Sequence, residues 1–151
     1  MRKLKYLIIN FVCFIAFAYS QDVNLQITNY SNNTIELYMQ NNVAVAGVQF
    51  NVESTADSFS IESINGGSME EAGFTVSNSS SIAIGFSLTG ATIPVSDGVL
   101  CYITTSGDLI DGDTISISNP IFSGTSGEAL SVSNITPYEY LDSNSWPYYS
   151  I

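Results

Sequence analysis

Short runs of alternating apolar and polar residues recur along most of the chain. In "VAGVQFNVE", Val48, Phe50 and Val52 fall on one side of an extended segment, whereas Gln49 and Asn51 fall on the other. Such alternation is typical of a β-strand with one buried face, because successive side chains point to opposite faces. The runs are separated by residues that favour turns. The predicted strands cover residues 23–28, 34–40, 45–52, 58–64, 74–77, 81–87, 98–105, 114–119, 120–123 and 129–133.

Strands of this number and spacing predict an all-β fold, an antiparallel β-sandwich. Only "GSMEEAG" indicates a helix, with Ser68 as N-cap, Glu70 and Glu71 in the first turn, and Gly73 as the stop. In each strand the bulkier side chains at alternate positions are assigned to the core. The predicted core residues are Val48, Phe50, Val52, Phe59, Ile61, Ile82, Ile84, Phe86, Val99, Cys101, Ile103, Ile115, Ile117 and Leu130.

The N-terminal segment predicts export. "MRKLK" is a basic start, "YLIINFVCFIAF" is an apolar run, and Ala18 and Ser20 are small residues at the positions that a signal peptidase reads. The apolar run is short for a membrane-spanning helix, which needs about 20 residues. We therefore expect residues 1–20 to be a signal peptide and the protein to be secreted, extracellular or at the cell surface, with no membrane span after cleavage.

Removing that segment leaves a polyanion. All three basic residues lie within residues 1–5, so the remaining chain carries 14 Asp and Glu residues and no Lys, Arg or His. Nucleic acid is excluded as a natural partner, because its recognition depends on Lys and Arg neutralising phosphates. A Ser-His-Asp triad is impossible without His, and the P-loop signature is missing along with its Lys. Cys101, in an alternating strand without basic neighbours, is expected to be a buried, inert thiol. No enzymatic activity is predicted.

Two segments remain as candidate sites. In "SGDLIDGD", Asp108, Asp111 and Asp113 could offer oxygen ligands to calcium, although the spacing differs from an EF-hand loop and a solvated turn is the favoured alternative. The tail at residues 137–151 is rich in aromatic residues and proline, and follows a predicted domain at residues 21–136. It could be an edge strand, a loose end, or a platform on which sugar rings stack. The aromatic residues concerned are Tyr138, Tyr140, Trp146, Tyr148 and Tyr149.

The order of the strand and turn segments resembles the cohesin and cohesin-like domain family. The resemblance rests on "GVQF" after a polar turn, "AGFTVS" leading to "IAIGFS", the strand start "DGVL", and the closing "NPIFSGTSGEAL". It covers roughly residues 22–135. This resemblance implies a jelly-roll sandwich of about nine strands, related in fold to several carbohydrate-binding modules.

In that family one sheet face receives a calcium-loaded dockerin module, so the resemblance implies a partner-binding face on the corresponding strands. Gln49 occupies a position where the family's strand contributes a polar recognition residue. The predicted face residues are Gln49, Asn51, Thr75, Ser77, Ala83, Gly85, Ser87 and Ser116. Ala83 and Gly85 are expected to form a small flat patch that admits a partner's backbone. As the alternative, this face is simply the solvated side of an antiparallel sheet.

The sequence therefore predicts a secreted, non-catalytic, cohesin-like module that docks a dockerin-like protein in an extracellular polysaccharide-degrading or surface assembly. Two alternatives stay open. The chain could be a carbohydrate-binding module that binds polysaccharide through its aromatic residues, with calcium as a structural ion. It could also be a structural unit of a larger surface protein.

Overall fold

Two β-sheets packed face to face form the body of the protein. The computed structural model describes residues 21–133 and 136–142. The strands are β1 (Val23–Ser31), β2 (Thr34–Asn41), β3 (Gly47–Ser54), β4 (Ser60–Asn65), β5 (Thr75–Asn78), β6 (Ile82–Phe86), β7 (Ser96–Ser106), β8 (Thr114–Ser123), β9 (Ala129–Leu130) and β10 (Tyr138–Glu139). One short helix, α1 (Gly67–Glu71), lies between β4 and β5.

The strand order defines a four-stranded and a six-stranded sheet. The four-stranded sheet has the order β1-β2-β7-β4, and the six-stranded sheet has the order β10-β8-β3-β6-β5, with β9 also paired to β8. All of these pairings are antiparallel. The prediction of an all-β antiparallel sandwich is confirmed. The predicted strands at 114–119 and 120–123 are one strand, β8, which continues past Asn119, a residue with a φ of 47°.

The start of β1 meets residues 131–133 at the edge of the four-stranded sheet. Val23 pairs in parallel with Val132. The Asp22 carboxylate accepts hydrogen bonds from the backbone N–H and the hydroxyl of Ser131, both at 2.8 Å. These bonds lower the pKa of Asp22, because they favour the charged form of the carboxylate.

One buried core fills the space between the sheets. Leu25, Ile35, Leu37, Phe50 and Phe122 are among its largest fully buried side chains. At about 25 cal/mol per Å² of apolar surface removed from water, this burial is the main favourable contribution to folding. Most predicted core residues lie here, and Phe59 and Leu130 pack against it while partly buried.

The predicted orientation of β6 is wrong. Ala83 is fully buried and Gly85 is buried, whereas Ile84 is 38% and Phe86 39% exposed. The reason is the space above β6, which the helix α1 occupies. A Cβ on Gly85 would lie 2.3 Å from the Met69 Cε atom and 3.0 Å from Val48 Cγ2. Only small residues fit on the inner side of β6, so its bulky residues face outwards.

Val99 is also less buried than predicted. A register shift opposite Leu37 and Tyr38 interrupts the alternation of β7, so the neighbouring residues Leu100 and Cys101 are both fully buried. A bulge changes the face to which every following side chain points. Val99 is consequently only half-buried.

The helix α1 is the single turn that the sequence indicates, but its start differs from the prediction. Gly66, not Ser68, is the N-cap, and the Glu70 carboxylate accepts a hydrogen bond from the Gly66 N–H at 2.6 Å. Gly73 ends the turn with a φ of 71°. Within residues 21–133 and 136–142, no helix has the length and apolar character needed to cross a membrane. The predicted signal peptide at residues 1–20 lies outside the described residues.

Candidate protein-docking face

The outer side of the six-stranded sheet collects side chains from β8, β3, β6 and β5 into rows. In the central row, Ile121 pairs with Gln49, Gln49 with Ile84, and Ile84 with Ser77. Side chains of paired residues in adjacent strands lie about 5 Å apart and project to the same face. A polar Gln49 therefore sits between two exposed isoleucines.

The next row is centred on an aromatic ring. Phe86 pairs with Gly47 of β3 and with Thr75 of β5. Gly47 has no side chain to cover the neighbouring ring, which leaves Phe86 39% exposed. Phe86 and Ile84, two positions apart on β6, form one continuous apolar strip on the outer face.

Towards the other end of the sheet the face becomes polar. Asn51 pairs with Ile82 of β6 and with Ser118 of β8. Glu53 pairs with Ser116 and accepts a hydrogen bond from the Ser118 hydroxyl. Hydroxyl and amide groups here can donate or accept hydrogen bonds with a partner.

A shallow depression lies at the β5 edge of this face. Its volume is about 220 Å³, and it is lined by Ser77, Asn78, Ser79, Ile82 and Ile84. A depression of this size accommodates one apolar side chain better than a small-molecule ligand, since ligand pockets usually span about 300–1,000 Å³.

The structure places most, but not all, of the predicted face residues on this surface. Thr75 and Ser77 are exposed, and Gln49, Asn51 and Ser116 are half-buried at outward positions. Ala83 and Gly85 were predicted to face outwards and instead point into the core, for the packing reason given above.

Ser87 follows the end of β6 and does not lie in the sheet. Its hydroxyl oxygen accepts hydrogen bonds from the backbone N–H groups of Thr89, at 3.2 Å, and Ala91, at 2.8 Å. The outward residues that the sequence prediction missed are Ile84, Phe86 and Ile121. Pro120 is a signal of the irregularity next to Ile121, because proline within a paired strand usually marks a bulge and the register of β8 against β3 shifts between Gln49 and Asn51.

The predicted calcium ligands do not come together. No group of three or more acidic, cysteine or histidine side chains among the described residues is arranged to hold a metal ion. Asp113 accepts hydrogen bonds from the Thr55 hydroxyl at 2.8 Å and the Ile110 N–H at 2.9 Å. Asp111 accepts one from the Asp142 N–H at 3.0 Å. The Asp111 and Asp113 carboxylates thus bond to backbone N–H groups and to the Thr55 hydroxyl. Asp108 lines a separate cavity of about 430 Å³.

Two of the tail tyrosines pack on the sandwich. Tyr138 pairs with Ile115, and Tyr138 and Tyr140 contact the core while partly buried. The Tyr140 ring lies edge-on to Tyr30, with ring centroids 5.7 Å apart. Burial raises the pKa of the Tyr30 hydroxyl. Trp146, Tyr148 and Tyr149 lie outside the described residues.

Cys101 is fully buried, as predicted. Burial raises the pKa of its thiol to about 12, because the charged thiolate is disfavoured away from water. The reactive thiolate is therefore scarce at neutral pH.

Comparison with known proteins places this architecture among solved cohesin structures. No protein-family model matches the chain, and no curated protein matches it. A non-cellulosomal cohesin from Archaeoglobus fulgidus aligns with a TM-score of 0.60 and 13% identity, over 82% of this chain and 94% of that one. The sixth cohesin of scaffoldin B from Acetivibrio cellulolyticus, in complex with a mutant Cel5 dockerin, aligns with a TM-score of 0.55 and 19% identity. The alignment covers 76% of this chain and 94% of that one.

A third similar structure is the cohesin of a type I cohesin–dockerin complex from Clostridium thermocellum. It aligns with a TM-score of 0.56 and 12% identity, over 78% of this chain and 90% of that chain. At these identities the likeness defines the fold. The chain has a cohesin-like fold.

Proposed function

We propose that this chain is a non-catalytic binding module that docks a protein partner of the dockerin type on the outer face of the six-stranded sheet. Cohesins of similar fold have been solved in complex with dockerins. The signal-peptide pattern of residues 1–20 supports a place for the module in an extracellular or cell-surface assembly, such as one that degrades polysaccharides.

One observation carries this proposal. Among the described residues, every large apolar side chain that is both exposed and carried by a strand lies on this face, namely Ile84, Phe86 and Ile121. Exposed apolar side chains grouped on one surface commonly mark an interaction site. Gln49, between Ile84 and Ile121, and Asn51, in the adjoining row, can supply hydrogen bonds, which give such a contact its specificity.

The chemistry of the chain supports binding over catalysis. Residues 21–151 contain no Lys, Arg or His, which are frequent acid, base and anion-stabilising groups in enzymes. Its cysteine is buried with a pKa of about 12. The sugar-stacking alternative gains no support from Tyr138 and Tyr140, because both rings pack against the core.

The test is a binding assay against a panel of purified, calcium-loaded dockerin modules. We expect the chain to bind at least one of them, and the double variant Ile84→Asp/Phe86→Asp to weaken that binding by about 30-fold or more. This corresponds to the loss of about 2 kcal/mol, as is usual for central apolar contacts that become charged.

A matched control places the same two charges on the other sheet. Gln40 and Ser63 are exposed on β2 and β4, and Gln40→Asp/Ser63→Asp should leave the dissociation constant within about twofold of the parent chain. Equal losses in both double variants would show that added charge, and not the loss of the apolar strip, weakens binding. The absence of binding to every dockerin would contradict the proposal itself.

A further inference from the structure

The outer face of the six-stranded sheet also has an acidic end. Tyr138 pairs with the fully buried Ile115 and therefore points inwards, so the next residue, Glu139, points outwards beside Thr114. Glu53 lies on the opposite side of β8, paired with Ser116. Both glutamates are exposed. They flank the start of β8 from its two neighbouring strands.

No cation within the described residues can neutralise these carboxylates. The three basic residues of the sequence are Arg2, Lys3 and Lys5, so residues 21–133 and 136–142 hold acidic side chains alone among the charged types. A partner that covers this end must leave the two glutamates solvated or supply opposite charge, since burying an unpaired carboxylate is strongly unfavourable.

The acidic end is separated from the apolar strip by a definite distance along the sheet. Gln49 lies level with Ile84 and Ile121, and Glu53 follows four residues later on the same strand. At about 3.3 Å per residue, this spacing is about 13 Å. The screening length at physiological ionic strength is about 8 Å. A cation placed over the apolar strip would therefore interact only weakly with Glu53.

We infer that the partner of this face is basic at one end, with a Lys or Arg side chain over Glu53 about 13 Å from apolar side chains over Ile84 and Ile121. A second basic side chain lies over Glu139, and an apolar side chain covers Phe86 at the far end. The inference rests on the proposed docking function and adds the charge and the orientation of the partner. On a partner helix, a separation of about 13 Å corresponds to about nine residues. The negative charge of the whole chain adds attraction at long range, which raises the association rate of a basic partner.

The experiment measures association and dissociation rates by surface plasmon resonance, using the chain and a panel of purified dockerin modules that ranges from acidic to basic. We expect the basic dockerins to bind most tightly. Their association rate should fall by about tenfold as NaCl rises from about 0.05 M to about 0.5 M. Tightest binding by the acidic dockerins, or rates that do not respond to salt, would overturn the inference.

Two double variants with equal changes in net charge test the location. Glu53→Gln/Glu139→Gln removes the acidic end, while Glu36→Gln/Glu62→Gln removes two carboxylates from the four-stranded sheet. We expect the first to accelerate dissociation of a basic dockerin by about fivefold or more and the second to leave it within about twofold. Identical dissociation rates would overturn the inference.

The outcomes separate this inference from the proposed function. If Ile84→Asp/Phe86→Asp abolishes binding but the two glutamate variants behave alike, the docking face stands and the basic, oriented partner does not. If no dockerin in the panel binds, both are overturned.

Discussion

The outer faces of the two sheets differ in what their strands expose. On the four-stranded sheet, Thr28 donates a hydrogen bond to Glu36 at 2.6 Å, and Tyr38 donates one to Asp97 at 2.5 Å. Polar side chains there bond to their neighbours across the strands. On the six-stranded sheet, Ile84, Phe86 and Ile121 are exposed to solvent without such neighbours.

This difference shows that outward exposure alone does not identify an interaction face. Both sheets have a solvated side, as is usual for antiparallel sheets. On the four-stranded sheet Thr28 is already bonded to Glu36 and Tyr38 to Asp97, so a partner would have to displace existing bonds there. The apolar strip of the six-stranded sheet gains free energy whenever it is covered, at about 25 cal/mol per Å².

The largest expected effect compares the two sides of β6. Ala83→Asp places a charge in the core and should lower the free energy of unfolding by about 3 kcal/mol or more. Ile84→Asp, one residue further, should lower it by about 1 kcal/mol or less, because that side chain reaches solvent. Urea unfolding followed by circular dichroism measures both.

Should Ala83→Asp fail to fold, Gly85→Ala provides a milder probe of the inner side. Its Cβ would meet Met69 Cε and Val48 Cγ2, and the overpacking should cost about 1–3 kcal/mol. A greater loss of stability in Ile84→Asp than in these inner variants would reverse the orientation of β6 described here.

A smaller effect is expected when the apolar character of the two outer faces is exchanged. Replacing Ile84, Phe86 and Ile121 by Thr should reduce binding of the dye ANS while changing the free energy of unfolding by about 1 kcal/mol or less, since Thr also favours strands. The converse change, Gln26→Ile/Gln40→Ile, should raise ANS binding. Unchanged fluorescence in the Thr variant, together with an increase in Gln26→Ile/Gln40→Ile, would mean that the strip is covered in solution.

The smallest effect concerns the hydrogen-bonded pair on the four-stranded sheet. The hydrogen bond to Asp97 raises the pKa of the Tyr38 hydroxyl, because it favours the neutral, donating form. A group whose pKa is raised on folding stabilises the protein below its unfolded pKa, which is about 10 for tyrosine. This small stabilisation is lost as the pH rises through the folded pKa.

Titration of the Tyr38 ring by NMR tests this contact, with Tyr38→Phe used to assign the signal. Asp97→Ala should move the Tyr38 pKa down towards its ordinary value. A pKa that stays in place after this substitution would show that Asp97 does not bond to Tyr38 in solution.

Much of the fold could be predicted because a half-buried antiparallel strand requires apolar and polar residues to alternate, and this pattern is visible among neighbouring residues in the sequence. The run around Phe50 alternates cleanly, so both its strand and its buried side were predictable. For Asp108, Asp111 and Asp113 the sequence favoured a solvated turn over a calcium site, but it could not identify the partners of these carboxylates, because residue type alone does not show what a carboxylate bonds to. The Asp113 carboxylate accepts a hydrogen bond from the hydroxyl of Thr55, which lies 58 positions away in the chain.

The sequence by itself determined the sandwich class, the approximate strands and the excess of negative charge, because alternation and composition are properties of neighbouring residues and of simple counts. Only the tertiary structure decided which side of β6 faces outwards. That strand is apolar on both sides, so its own pattern is ambiguous, and the choice follows from Met69 and Val48, which fill the inner space against Gly85. The outward position of Ile84 and Phe86, on which the proposed docking face depends, is thus a consequence of packing between distant residues.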